Sequence, residues 1–396
     1  MASTHGASRE RRPLPQGFWP IWTTVALDLV GFGIVAPILG RYAERFGAGG
    51  LEVGLMFASF SIAQMVFAPV LGRVSDRIGR KPVIIVSLIG TALGSIVTGL
   101  AGAMWVLFVG RIIDGASGAS VSVAQGAVTD IAPPEDRARL LGMLGAAFGV
   151  GFVVGPALGG LAALGGAHVP FFVAGAIAAV NAVVAHVRLP ETKKEVHEPR
   201  PEHAPRGPRN AVLVRLAMLN AIGLIGFSGF ESTFSLFGGA RFELTEGSAA
   251  MVFLFVGAVL VAVQGGLIGP ITDSVGSRSA LRAGLALAAG GMVLLSYTTT
   301  WMLLFVSLFL VALGQGIASP STTALVTEFA SADRRGEALG YQQSAGAFAR
   351  IVGPIVAGAL YDRVGIGAPY MVAGSLFVVA LAISLNPALS DRRVAA

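Results

Sequence analysis

Long apolar runs alternate along this chain with short polar breaks. One run of ~20 apolar residues spans a bilayer. About twelve such runs can be drawn, near 19–40, 53–72, 83–101, 104–127, 139–163, 169–187, 211–237, 248–268, 280–297, 301–326, 337–360 and 368–387. Each predicts a helix, because no water satisfies a backbone inside hydrocarbon. The first run follows Arg9, Arg11 and Arg12, as a signal peptide would. It is too long for a signal core and no small-x-small cleavage site follows it, so it reads as an uncleaved first span. The expected fold is an all-α membrane protein of twelve transmembrane helices.

The pattern also repeats. Gly72, Asp76 and Gly79 recur as Gly269, Asp273 and Gly276, Trp105 as Trp301, Asp136-Arg137 as Asp333-Arg334, and Gly155-Pro156 as Gly353-Pro354. The offset stays within about two residues across four separate features, which predicts two six-helix, pseudo-symmetric halves in the same orientation. Folds of that kind bind substrate near the midplane between the halves and rock to alternate access. The division expected is a tail (1–18), a first half (19–187), a linker (188–210), a second half (211–387) and a C-terminal tail (388–396). The linker carries Pro190, Pro199, Pro201, Pro205 and Pro208 among mixed charges, a composition that builds no core.

Composition sharpens this picture. Hydrophobic residues make up 54% and charged residues 13%, where a soluble domain carries about a quarter charged. The net charge of +6 could suit a nucleic-acid binder, but the basic residues sit in short connecting segments and no phosphate-binding glycine loop is present. Of the 28 Lys and Arg, 22 fall on one side of the predicted spans. That asymmetry puts both termini in the cytoplasm of a multi-pass inner-membrane protein. With 0 cysteines and no metal-ligand spacing, neither a thiolate metal site nor a cofactor is expected.

Between spans 2 and 3 the chain reads Gly72-Arg73-Val74-Ser75-Asp76-Arg77-Ile78-Gly79-Arg80-Lys81-Pro82. Gly72 permits close helix approach and Gly79 suits a positive-φ turn. Pro82 suits the first turn of a helix. Asp76 can pair with a basic neighbour or face a helix N-terminus; the plain alternative is a generic basic loop. In span 5, Gly151, Gly155 and Gly159 share one helix face, where small residues admit a close neighbour. Pro156 leaves the carbonyl of Phe152 without its helical partner, so the span can bend. Such a span at the interface of the halves suits a rocking gate, although glycine-rich packing alone has no direction.

These strings resemble the signatures of the major facilitator superfamily. The hairpin is similar to its GxxxDRxGRKP motif, Arg111 to Ala119 to its RxxxG motif, and Gly151 to Gly160 to the GxxxGPxxGG motif of antiporters. Asp28 to Pro37 resembles the first span of twelve-span drug:H⁺ antiporters, including tetracycline exporters. The resemblance covers nearly the whole chain and is stronger in the first half. The second hairpin keeps Asp273 but loses most basic residues. By resemblance, Gly72, Asp76, Arg77, Gly79, Arg80 and Asp130 form a gating hairpin, Asp76 lying near the start of span 11 with Arg77 and Asp130 as relay partners. Gly151, Gly155, Pro156 and Gly159 carry the antiporter signature.

Five charged residues fall well inside the predicted spans, away from their ends: Asp28, Arg111, Asp114, Glu231 and Arg350. A charge at a helix centre costs about 2.5–3.5 kcal/mol on insertion scales, and such residues usually face the interior and work. Asp28 is a candidate for proton coupling, with a structural hydrogen bond as the alternative. Arg111, Asp114, Gly118, Ser122 and Gln125 would form one polar stripe if span 4 is a continuous helix. Asp114 stands where the family motif has a small or amide residue, and it can neutralise Arg111 or take part in coupling. Glu231 could bind a proton or a cationic substrate, and Arg350 an anionic group. Gln125, Phe227, Glu231 and Arg350 are the candidate substrate contacts. Phe148, Phe227, Phe230 and Phe234 either line a flat apolar pocket or simply pack.

The function expected is proton-coupled export of a small, drug-like amphiphile by a monomer in the lipid bilayer, with small molecules and protons as partners and no enzymatic chemistry. The alternative on the same fold is an importer or uniporter of sugars or organic ions.

Overall fold

The computed structural model describes residues 14–133, 136–193, 211–330 and 335–386. The N-terminal tail up to 13, linker residues 194–210, the repeated Asp333-Arg334 and the tail 388–396 lie outside the described residues.

Among the described residues the chain is all helical. The first half contains α1 (Phe18–Glu44), α2 (Gly50–Ile78), α3 (Arg80–Gly99), α4 (Met104–Ser117), α5 (Ser120–Ile131), α6 (Arg137–Ala163) and α7 (Val169–Arg188). The second contains α8 (Ala211–Phe242), α9 (Glu246–Ala262), a π-helical segment (Val263–Leu267), α10 (Ile268–Tyr297), α11 (Trp301–Phe329), α12 (Arg335–Arg363) and α13 (Ala368–Ser384). Ten runs are long and apolar enough to cross a membrane, one of them 52 residues long, Glu246–Tyr297. Gly276 breaks that run with φ 77°, as Gly79 ends α2 with φ 111°. Both are turns for which glycine carries no Cβ penalty. Counting that break and the shorter α13 brings the ten to twelve segments. The chain is thus a multi-pass membrane protein.

One predicted span differs. Span 4 is two helices, separated at Gly118 and Ala119. Met104–Ile131 is apolar enough overall to cross a membrane as one segment, so only backbone geometry reveals the division.

Apolar side chains form a core within each half, and a further cluster crosses between them, Leu236 and Ala250 of the second half packing with Val30, Ile34 and Leu39 of the first. Leu88, Val123, Leu140 and Ala182 belong to one cluster of the first half, and Phe234, Phe253, Leu308 and Phe377 to the cluster of the second. The halves touch chiefly along two helix pairs, α2 with α12 and α6 with α9, at the end remote from the Gly79 hairpin. There the fit is backbone against backbone. A Cβ added at Gly54 would lie 2.2 Å from the Pro354 carbonyl oxygen, and one at Gly257 would lie 2.0 Å from that of Phe152. Toward the hairpin end the same helices separate. Gly72 of α2, Gly142 and Gly145 of α6, Gly265, Gly266 and Gly269 after α9, and Gly340 of α12 all border open space. A cleft between the halves therefore opens at the hairpin end and is shut at the other, the seam end.

Candidate functional site

The break in span 4 builds the first constellation. Where α4 stops, the carbonyl of Gly118 loses its helical partner, and Gln64 Nε2 of α2 donates to it at 2.8 Å. Helix α5 then starts afresh inside the bundle with Ser120, whose Oγ donates to Asp28 Oδ2 of α1 at 2.5 Å. The N-terminal end of a helix carries partial positive charge, so Asp28 meets both a hydroxyl donor and a favourable dipole. Discontinuous helices at mid-membrane place binding groups in this way in other transporter folds.

One turn before the break lies a second charged group. Arg111 Nη1 donates to Asp114 Oδ2 at 2.8 Å, and its guanidinium lies 4.3 Å from the centroid of the Phe60 ring. The Thr91 side chain also bonds Asp114. Arg111 is 3% exposed and its Nε has no hydrogen-bond partner. Asp114 lies near enough to Asp28 to act on it electrostatically. The pairing of Arg111 with Asp114 expected from their i, i+3 spacing is thus present. The stripe expected to run on through Gly118 to Ser122 and Gln125 is interrupted, because α4 and α5 are not one helix. Ser122 Oγ donates back to the Ala119 carbonyl at 2.9 Å, and Gln125 is half-buried on α5.

In the second half, Glu231 of α8 and Arg350 of α12 act on each other electrostatically. No ion pair within 4.0 Å joins them, and Glu231 Oε1 is buried without a hydrogen-bond partner. Arg350 is exposed on the cleft side of α12. Behind the pair, a polar network absent from the sequence reading links three helices. Gln342 Nε2 donates to Thr323 Oγ1 at 3.1 Å, and Asn220 Nδ2 donates to the Gln342 carbonyl at 3.3 Å.

The phenylalanines divide. Phe227, Phe230 and Phe234 are 8%, 1% and 0% exposed; each ring meets the next at a tilt, and Phe230 and Phe234 also meet Phe253 in the core of the second half. In this conformation the three, Phe227 among them, pack in the core rather than line a pocket. Their spacing along α8 turns all three toward the same interior face, so burial follows from helical periodicity. Phe148, at 36%, alone among the four is open.

The hairpin is more tightly tied than its motif implies. Arg80 Nη1 lies 2.6 Å from Asp76 Oδ1 and donates to Ser75 Oγ at 2.7 Å, while its Nε donates to Asp130 Oδ2 at 3.0 Å. Asp76 and Asp130 thus share one cation, and it is Arg80 rather than the expected Arg77. The reason is geometric. Arg80 opens α3 directly after the Gly79 turn, so its side chain folds back over the end of α2. The backbone carbonyl of Arg77 instead accepts from Lys193 Nζ at 2.5 Å. Glu191, missed in the sequence, accepts the N–H groups of Arg80 at 2.9 Å and Lys81 at 3.2 Å. It stands in for the missing N-cap of α3. Burial pushes its carboxyl up, but backbone donors from Lys193, Arg80, Lys81 and Thr192 outweigh this and hold it below the usual carboxylate range. Gly79 leaves the space: a Cβ there would lie 2.4 Å from Glu191 Oε2.

The glycine stripe of α6 also has a different neighbour from the one expected. Cβ atoms at Gly151, Gly155 and Gly159 would strike Leu29, Gly33 and Ile34, all on α1 of the same half. The interface between the halves uses other faces of α6, through Phe152 against Gly257, Gly149 against Val261 and Gly160 against Gly247. The carbonyl freed by Pro156, that of Phe152, is the one at the seam.

Comparison with known proteins follows the same lines. The family model of the Major Facilitator Superfamily matches residues 21–268 and 262–393. The class C tetracycline resistance protein of Escherichia coli is 31% identical over 372 residues, covering 90% of this chain and 93% of that protein. Multidrug resistance protein 2 of Bacillus subtilis (strain 168) is 28% identical over 380 residues, covering 92% and 93%. Among solved structures, the human organic anion transporter TETRAN superposes with a TM-score of 0.71 at 25% identity, covering 93% of this chain and 98% of that one. A bacterial homolog of the human lysosomal transporter Spinster gives a TM-score of 0.73 at 14% identity, covering 94% of each chain, and speaks to the fold alone.

Proposed function

The chain belongs to the Major Facilitator Superfamily, and from that premise we propose that it is a proton-coupled exporter of a small amphiphilic organic compound, working by alternating access. The hairpin end is the cytoplasmic end, in keeping with its excess of Lys and Arg. The cleft described above then faces the cytoplasm of the cell that holds the protein in its inner membrane, both termini lie inside, and one chain is the working unit.

The observation that carries this reading is Asp28. It is a carboxylate within the spanning bundle, held by Ser120 at a helix break and influenced by a second carboxylate, Asp114. A carboxyl so placed exchanges a proton as its surroundings change between wet and closed. Glu231, with one oxygen unbonded, and Arg350, open to the cleft, supply the second half of the site. With Gln125 and the exposed edge of Phe148 they would meet a molecule carrying both charge and apolar area. The tetracycline and multidrug resistance relatives favour a drug-like cargo. A membrane potential of 100 mV supplies about 2.3 kcal/mol per charge moved, enough for a roughly 50-fold gradient.

The test uses inverted vesicles with an imposed pH gradient and a panel of tetracyclines and lipophilic cations. At least one compound should be taken up into the vesicles while collapsing the gradient. Transport that leaves the gradient intact would favour the uniporter reading, and movement only in the opposite direction the importer.

A further inference from the structure

The seam end contains a contact that the site above does not use. Helices α2 and α12 are each 29 residues long and run antiparallel, so the N-terminus of one lies beside the C-terminus of the other. Both end in the same local string. Helix α2 closes with Asp76-Arg77-Ile78-Gly79 and α12 with Asp362-Arg363-Val364-Gly365, each glycine at positive φ, 111° and 143°.

At the seam, the Asp362 carboxylate reaches across to the other half. Its Oδ1 accepts the N–H of Gly50 at 2.8 Å and its Oδ2 that of Leu51 at 2.7 Å. These are the first two helical residues of α2, whose N–H groups have no partner inside the helix. The N–H just before them, that of Gly49, goes to Glu52 at 2.9 Å. A helix start inside one half is thus completed by a carboxylate from the other. The geometry depends on missing side chains. A Cβ at Gly49 would lie 3.1 Å from Asp362 Oδ1, and one at Gly358, a turn before Asp362, would lie 2.1 Å from the Gly50 carbonyl. Gly50 and Gly54 face Pro354, Gly358 and Asp362 in a matched 4-residue rhythm.

We infer that Asp362 is the gating latch of the seam end: by capping α2 across the interface it stabilises the state in which that end is shut, and it must release before that end opens. The effect on the two conformations is unequal. Two charge-assisted hydrogen bonds exist only while the halves touch here, so they weigh on one conformation and not the other. Asp362 is exposed at the rim, where water can take over its bonds. That makes the contact releasable rather than permanent. A second cross-half contact flanks it, Arg45 Nε and Nη2 to Glu246 Oε1 at 3.0 and 2.7 Å. As an exposed ion pair it is worth less. At the other end of the same helix pair, Asp76 bonds within its own hairpin to Arg80, so among the described residues the seam-end copy of the string is the one engaged across the halves.

This inference rests on the alternating-access part of the proposed function and not on its substrate or its proton. The chain has 0 cysteines, so spin labels can be placed cleanly. One pair, Gly102→Cys with Thr299→Cys, spans the seam end. The other, Val187→Cys with Leu385→Cys, spans the hairpin end. Double electron–electron resonance on purified protein gives the populations. Asp362→Asn should shift them toward a long seam-end and short hairpin-end distance, by roughly five- to tenfold in the ratio. Asp362→Glu, which keeps the charge but changes the reach, should shift them less and carries the test if the first variant does not insert. Arg45→Gln should move them least. A merely structural Asp362 would lower the yield of folded protein without moving either distribution. If wild type interconverts and neither Asp362 variant changes the ratio, the latch is wrong while alternating access stands. If no protein ever shows the long seam-end distance, both are wrong.

Discussion

Asp28 and Ser120 are joined by one hydrogen bond across a helix break, and each substitution of the pair separates a different part of the chemistry. Asp28→Asn keeps the volume and removes the ionisable group. It should abolish gradient-driven efflux while substrate exchange persists, measured as proton flux per folded transporter in reconstituted vesicles. Ser120→Ala keeps the carboxylate and removes its donor, so coupling should survive with a displaced pH profile. Undiminished proton flux in Asp28→Asn would move the role to Asp114 or Glu231. Asp28 was legible in the sequence because a charge interrupts an apolar run. Ser120 was not. Serines and threonines in such helices commonly bond their own chain, as Thr129 does to Gly126 and Ser122 to Ala119, so a serine in a span carries little signal. The burial of Phe227 was hidden for the same reason. Helical spacing shows which residues share a face, but only packing shows whether that face meets a cleft or a core.

At the scale of elements, the α2–α3 hairpin shows how far a motif reads. Its turn at Gly79 was visible as a glycine between basic residues, and the structure gives it φ 111°. The ligand of the following helix was not visible, since Glu191 lies 111 residues from the amide it caps. Glu191→Gln should weaken that cap without disturbing the spans, lowering the thermal midpoint of the detergent-solubilised protein by a few degrees at neutral pH. The sign of its pH dependence follows from its depressed carboxyl. A folded-state value below the usual 4.5 means stabilisation that is complete above 4.5 and lost as pH falls through the lower folded value. The gap between wild type and Glu191→Gln should therefore close in acid, and a gap that widened there would remove the carboxylate from this account. The break at Gly118 was equally hidden. Glycine is common in membrane helices, and the donor that makes this break tolerable, Gln64, comes from another helix.

On the scale of the whole molecule, hydropathy and the internal repeat were enough to read two halves of spanning helices. How the halves meet was beyond them, because contacts such as Gly50 with Asp362 join residues 312 positions apart. Orientation is testable in intact cells. Single cysteines at Val364 or Thr299 should react with an impermeant thiol reagent, and those at Val187 or Leu385 should resist it until the membrane is opened. The reverse pattern would invert the proposed topology. The seam itself has a further consequence. Where Gly54 meets Pro354 and Gly257 meets Phe152, not even a methyl group fits, so the barrier there is made of main chain. Exposed side-chain rotamers flip in picoseconds to nanoseconds, whereas whole helices shift in microseconds to milliseconds. A plug of bulky side chains would flicker on the fast clock and let ions seep through. A wall of abutting backbones yields only on the slow one, and so insulates the bilayer between turnovers.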